Sequence, residues 1–348
     1  MRTPLRSAVL AFGLLLPLPA MAVDPTVEMT IVRDSVENHV LPRIAALAEA
    51  GAALDAAAQE SCLPGDAGLV SAYNAAFDAW ITASHLDFGP ADEGHRAAAL
   101  SFWPDPRGFG QKALKAMVLG ADPVIDDPAA FAEGSVAVRG FFALEYLLYD
   151  PAFADLGDAD YRCRLIRAEA ADIAGLTGAI QAGWTTGGYA ALMESAGENE
   201  TYRSPTEAVQ ELYKTLYLGL EFTANNRLGL PMGTFDKPNP KKAEAWRSGR
   251  SLRNVMLSLD SLRDLANRMG GPLAEHPDLA TQIDYAFGRA LEAVAEMDDP
   301  VLAGVADPIA RFRVESLQTT LFAIRDAVRG ELGPALGVSQ GFSSNDGD

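Results

Sequence analysis

The chain is poor in cysteine and histidine and has no surplus of positive charge. Among its 348 residues two are cysteine and four are histidine, and 28 Lys and Arg stand against 47 Asp and Glu, a formal charge of −19. Cys62 and Cys163 are too few for a thiolate metal cage and too far apart for a Cys-x-x-Cys redox pair. The acidic excess repels phosphate backbones and anionic headgroups, which disfavours nucleic acid and membrane surfaces as partners. It reads first as a solubilising surface, with only weak and unselective attraction for cations. Catalytic signatures are missing too. There is no His-Glu-x-x-His, Gly-x-Ser-x-Gly, Walker A or Gly-x-Gly-x-x-Gly. No serine or cysteine has an evident His/Asp partner, so no enzyme class has a positive motif. Past the N-terminus no apolar run reaches ~18 residues, so no transmembrane helix is expected. Alternating β-branched runs are almost absent, which argues against sheets.

What is present begins with an export signal. Arg2 and Arg6 precede an apolar stretch from Ala8 to Leu16, too short to span a bilayer, and Ala20-Met21-Ala22 forms a cleavage site. Residues 1–22 are therefore expected to be a signal peptide, with a mature chain starting near Val23. No cysteine stands at the cleavage point, so no lipid anchor is expected. The expected product is a soluble periplasmic protein without membrane insertion after cleavage. Losing Arg2 and Arg6 leaves 26 basic against 47 acidic residues and a charge of −21. In an oxidising compartment Cys62 and Cys163 read as one disulfide. Closing a loop of about 100 residues is worth about 4–5 kcal/mol on the chain-entropy estimate.

The rest reads as helices. Val32, Val36, Val40, Ile44 and Leu47 recur at spacings of three and four within an expected helix over 25–59. Tyr73, Phe77 and Trp80 do the same over 69–84. Further helices are expected over 109–119, 131–149 and 161–184. Ser204, Pro205 and Glu207 give an N-cap, a first-turn proline and a capping-box acid for a helix running to about 226. Helices over 241–268, 277–297 and 308–330 complete the set, and residues 336–348 read as a disordered tail. The expected fold is all-α. It has two up-down helical bundles, over 23–190 and 191–335. Ala79-Trp80 and Ala245-Trp246 fall at comparable places in the two halves, which suggests a duplicated four-helix unit.

Inside the run ending at Tyr149 stands Gly140-Phe-Phe-Ala-Leu-Glu145. It resembles the Gly-x-His-x-x-Glu signature of the imelysin family, with Phe142 at the histidine position. His39-Val-Leu-Pro42, Gly89-Pro90, Phe102-Trp-Pro-Asp105, Ala143-Leu-Glu-Tyr-Leu-Leu148 and Arg227-Leu-Gly-Leu-Pro231 extend the resemblance in order over some 200 residues. The version without the histidine is similar to a branch described only as periplasmic proteins. The resemblance implies two helical bundles, a periplasmic or outer-surface location and a link to iron uptake. The family's founding member is an insulin-cleaving peptidase. Phe142 cannot bind metal or carry protons, so neither peptidase activity nor family-type metal binding follows for this chain.

Candidate site residues come from polar groups on apolar faces. Glu145 is flanked by Phe141, Leu144, Leu147 and Leu148, so burial would give it a partner, such as an arginine, or a raised pKa. Arg139 is a possible counter-ion. His39 lies beside the buried stripe of the first helix, three residues before Pro42, which cannot donate to the carbonyl of Asn38 and should kink the helix. It is either a ligand or a core histidine bonded to a neighbour. His39 and Glu145 are the candidate metal ligands, with Trp80 and Trp103 bounding a shared pocket. His85, Asp87, Asp92, Glu93 and His95 crowd one loop but match no compact metal site. The leading expectation is a non-catalytic binding or accessory component of periplasmic iron handling. Its ligand would be iron or another divalent metal, or a component of iron uptake. The alternatives are a metallopeptidase with rearranged ligands and a scaffold for another exported protein.

Overall fold

A computed structural model describes residues 23–338, so the expected signal peptide and the end of the tail lie outside the described residues. The described residues are helical throughout, with no β-structure beyond one isolated bridge between Thr234 and Lys237. The all-α expectation holds. The main helices are α1 (Pro25–Ser35), α2 (Leu41–Glu60), α3 (Ala67–Ala83), α4 (Phe109–Gly120), α5 (Gly140–Tyr149), α6 (Ala159–Trp184), α7 (Pro205–Phe222), α8 (Ser251–Gly270), α9 (Pro277–Ala295) and α10 (Pro308–Ala327). Among the described residues no helix is long and apolar enough to cross a membrane.

The expected first helix is two helices joined by a π-helical turn over Val36–Val40. Pro42 lacks an N–H, and the Leu41 N–H reaches back five residues to the Val36 carbonyl, widening the turn. Arg43 fills part of the gap by donating from Nη1 to the His39 carbonyl at 3.0 Å. The turn redirects the chain. α1 packs on α7 and α8, whereas α2 packs on α3 and α6. Residues 25–35 therefore pack mainly against later helices. Two further π turns, over Thr223–Leu228 and Val328–Leu332, also precede a proline, Pro231 and Pro334.

α2 and α6 approach closely because Gly51 faces Thr177. A Cβ at position 51 would lie 2.4 Å from Thr177 Oγ1. α3 closes the other side of α2, and α5 packs on α6. In the second group α7 packs on α8 and α10, and α9 lies between α8 and α10. α8 also packs on α3, so it belongs to the seam between the groups. The buried apolar side chains form one continuous core across both.

Three local expectations change. The expected helix over 131–149 is broken, because Arg139 is extended and Gly140 has φ +79°. The expected helix over 241–268 starts only at Ser251, after a turn in which Ala245 has φ +51°. Trp246 is therefore not helical and cannot match Trp80 of α3, so it marks no duplication. At α7 the Ser204 N-cap is as expected, but Glu207 reaches one residue beyond the capping-box position. Ser204 Oγ accepts from the Glu207 N–H at 3.2 Å, and the Glu207 carboxylate accepts from the Arg203 N–H at 2.7 Å.

Cys62, just beyond α2, is bonded to Cys163 in the first turns of α6, across 101 positions of sequence. Thiol labelling of the denatured, unreduced protein should find no free cysteine. Cys163→Ser should lower stability by roughly 2–5 kcal/mol in chemical denaturation. Two labelled thiols would contradict this pairing.

Candidate functional site

A cavity of about 500 Å³ opens at the seam between the two helix groups. Trp80 of α3, His85 and Asp87 of the loop after it, Trp103, Phe222 at the end of α7 and Arg227 of the second π turn all line it. Both expected tryptophans are thus wall residues. Trp103 meets Phe222 edge-on at 5.7 Å and stacks on Phe142 at 6.4 Å between ring centroids. Phe142 also meets Phe77 edge-on at 5.6 Å. The family's histidine position is therefore filled by a ring packed among aromatics.

The second π turn places Arg227 in the cavity wall, where it is only 3 % exposed. Its Nε donates to Glu244 Oε2 at 2.7 Å, and its Nη1 donates to Ser258 Oγ at 3.0 Å. The guanidinium also lies 4.9 Å from the Phe222 ring centroid. Asn254 Nδ2 donates to the same Glu244 oxygen at 3.0 Å. A buried arginine and carboxylate are tolerated only when paired in this way.

Behind His85 runs a second polar chain. Asp264 Oδ2 lies 2.8 Å from His39 Nδ1, and His39 Nε2 lies 2.8 Å from His85 Nε2. Burial works against the Asp264 carboxylate, but hydrogen bonds from His39 and Arg268 and the Arg43 charge outweigh it and hold its pKa well below the usual range. An ionised carboxylate only accepts, so His39 carries its proton on Nδ1. Its Nε2 then accepts from His85 Nε2–H. The tautomers follow from this hydrogen-bond chain. The remaining lone pair of His85 is on Nδ1. Burial lowers the pKa of His39 to about 4 against the pull of Asp264, and burial, with His39 and Arg43 alongside, lowers that of His85 well below the usual imidazole range. Both imidazoles are neutral near pH 7.

One face of α8 organises these contacts. Asn254, Ser258, Ser261, Asp264 and Arg268 recur at spacings of four, three, three and four. Ser261 Oγ accepts from Arg43 Nε and donates to the Thr82 carbonyl, both at 2.7 Å. Arg268 reaches Asp34 of α1 at 3.1 Å. The spacing is visible in the sequence, where it could have been read as a polar stripe on an otherwise apolar helix.

The other expected residues go elsewhere. Glu145 is buried, and its Oε1 accepts from the Ser248 N–H at 2.9 Å and from Ser248 Oγ at 2.7 Å. Burial raises its pKa, and the Ser248 bonds offset part of that rise. Its partner is a serine, not an arginine. Arg139 is not its counter-ion, because Arg139 forks onto Asp172 at 3.0 and 2.7 Å. His39 and Glu145 do not form a joint metal pair. Ser248 precedes α8, whereas Asp264 lies about 20 Å along its axis at 1.5 Å per residue. Both nitrogens of His39 are also committed. Among the described residues no three His, Cys, Asp or Glu side chains gather as a metal cage. Of the crowded loop, His85 and Asp87 reach the cavity, while Glu93 pairs with Arg96 and His95 is exposed. Sequence reasoning missed Arg227, Glu244 and Asp264.

The first residue of the signature has a separate role. Gly140 N–H donates to Glu169 Oε2 at 2.9 Å, and a Cβ on Gly140 would lie 2.2 Å from the Ala99 carbonyl oxygen. Glu169 is fully buried with Oε1 unpaired. Burial and the neighbouring Asp172 raise its pKa well above the usual range, against the Gly140 N–H and Arg139.

The imelysin family model matches residues 40–328. An iron-regulated protein A of Synechococcus elongatus is 24% identical over 319 residues, covering 87% of this chain and 85% of that protein. The crystal structure of an imelysin-like protein from Psychrobacter arcticum has the same fold at TM-score 0.78 and 21% identity, covering 92% of this chain and 100% of that one. A Parabacteroides distasonis structure, described as an iron-regulated protein A precursor, reaches TM-score 0.70 at 14% identity over 89% of this chain and 96% of that one.

Two substitutions test the signature's surroundings. Gly140→Ala should cost at least about 2 kcal/mol in denaturant unfolding, since both backbone conformation and space forbid a side chain. Burial favours the neutral form of Glu169, so the stability it permits is full below its ordinary value of 4.5 and falls as pH rises toward its raised folded pKa. Glu169→Gln should remove that loss, a difference of about 1.4 kcal/mol per pH unit across the window. Parallel stability–pH profiles for wild type and Glu169→Gln would show that Glu169 is already ionised.

Proposed function

The chain belongs to the imelysin family, and on that footing we propose that it is an exported, non-catalytic binding component of periplasmic iron acquisition or handling. The seam cavity is its binding site. The observation that carries this reading is the cavity itself, with aromatic walls and polar groups fixed by mutual hydrogen bonds on rigid helices. Phe142 supports a non-catalytic role, because the signature position holds hydrocarbon packed between Phe77 and Trp103. The iron assignment is supported by the iron-regulated protein A relative. Export is supported by the Arg2–Ala22 leader pattern and by the Cys62–Cys163 bond, which suits an oxidising compartment.

The test is made in the producing cell. The protein's periplasmic abundance should rise on iron withdrawal, and deletion should slow growth with an extracellular iron chelator present. Abundance and growth that ignore iron would overturn the iron assignment. Cleavage of a peptide library by purified protein, abolished by chelator, would overturn the non-catalytic assignment.

A further inference from the structure

We propose that the seam cavity takes an organic cation, an amine or ammonium group on an apolar body, with Trp103 and Phe222 against the body and Asp87 as the counter-charge. This rests on the reading of the cavity as a binding site and is independent of the iron assignment. Size and walls come first. At about 500 Å³ the cavity falls among small-molecule pockets, which run from about 300 to 1,000 Å³, and is far roomier than one bare ion requires. Trp80, Trp103 and Phe222 give it three aromatic walls, and the edge-on contact of Trp103 with Phe222 at 5.7 Å fixes two of them. Phe222 already carries a cation, since the Arg227 guanidinium lies 4.9 Å from its ring centroid. Aromatic walls attract a further cation in the same way, through the negative face of each ring.

Charge selects the sign of the ligand. Four carboxylates line the cavity, Asp87, Glu211, Glu221 and Glu244, against two cations, Lys214 and Arg227. Both cations are taken. Lys214 lies 3.6 Å from Glu211, and Arg227 lies 2.7 Å from Glu244. Glu221 is met at 3.5 Å by Arg325, which stands outside the lining. Asp87 is the remaining carboxylate, and it has no ion-pair partner among the described residues. Partial burial and the nearby Asp92 raise its pKa against the pull of Lys214, and a cation seated beside it would relieve both. His85 adds no positive charge, because its imidazole is neutral near pH 7. The acidic chain as a whole draws cations toward the opening without choosing among them. The aromatic walls and Asp87 supply the choice. No bond is made or broken.

The experiment uses the mature protein and three soluble probes that share a phenyl ring and differ in charge: phenethylamine, phenethyl alcohol and phenylacetate. Each is titrated by calorimetry at neutral pH. One saturable site is expected for phenethylamine, roughly tenfold tighter than for phenethyl alcohol, with phenylacetate weakest. Asp87→Asn should bring amine and alcohol to within about threefold of each other, and Trp103→Leu should weaken both. The comparison of probes on the unaltered protein keeps the proposal testable if Trp103→Leu fails to fold. Absence of a saturable phenethylamine site, equal binding of the alcohol, or an undiminished margin in Asp87→Asn would overturn it. Any of these alongside an intact iron-limitation phenotype would discard the cation and leave the proposed role standing. Amine binding in a protein whose loss leaves iron-limited growth unchanged would keep the cation and remove the iron assignment.

Discussion

A helix that buries a row of hydrogen-bonding side chains is pressed to find partners for them, since each unsatisfied group costs about 1–3 kcal/mol. α8 is under that constraint. Its apolar residues, among them Val255, Leu259, Leu262 and Met269, are buried in the core. Its polar row from Asn254 to Arg268 meets Glu244, Arg227, Arg43, His39 and Asp34. Asp34 and His39 come from the first helix and its π turn, and Arg43 from just beyond it. The bend at Val36–Val40 is thus what lets one N-terminal segment serve both helix groups. The seam is fixed by directional contacts, and the cavity inherits its shape from them.

The helical periods were legible in the sequence because buried apolar residues repeat at three and four along α2, α3 and α7. The cap at Ser204 and the cysteine pair were legible for equally local reasons. The boundaries at Gly140 and Ser251 were not, since both depend on left-handed backbone at Gly140 and Ala245 that composition does not announce. Trp80, Trp103 and His39 were found because each is a distinctive residue beside an apolar stripe. Their partners were harder. Asp264 lies 225 positions from His39, and Glu244 sits in a turn that looked like helix. The pairing of His39 with Glu145 failed because both look alike in sequence, as polar residues on apolar faces, while α8 holds them at opposite ends.

The signature helix also divides its labour. Gly140 permits a tight approach to the Ala99 carbonyl, and Glu145 anchors the turn before α8 through Ser248. Both are structural duties that need no histidine between them. With Phe142 packed into the aromatic wall, the frame of the signature survives as architecture. The polar edge that faces the cavity is provided instead by His85, from a different helix end, through a chain that begins on α8.

The central claim is that Asp264 and His39 fix the tautomer of His85. Long-range nitrogen–proton NMR of the histidine-labelled protein at neutral pH tests it most directly. The account predicts two neutral buried rings, one protonated on Nδ1 (His39) and one on Nε2 (His85), with His85 assigned by loss of its signals in His85→Ala. A His85 ring protonated on Nδ1, or carrying protons on both nitrogens, would contradict it.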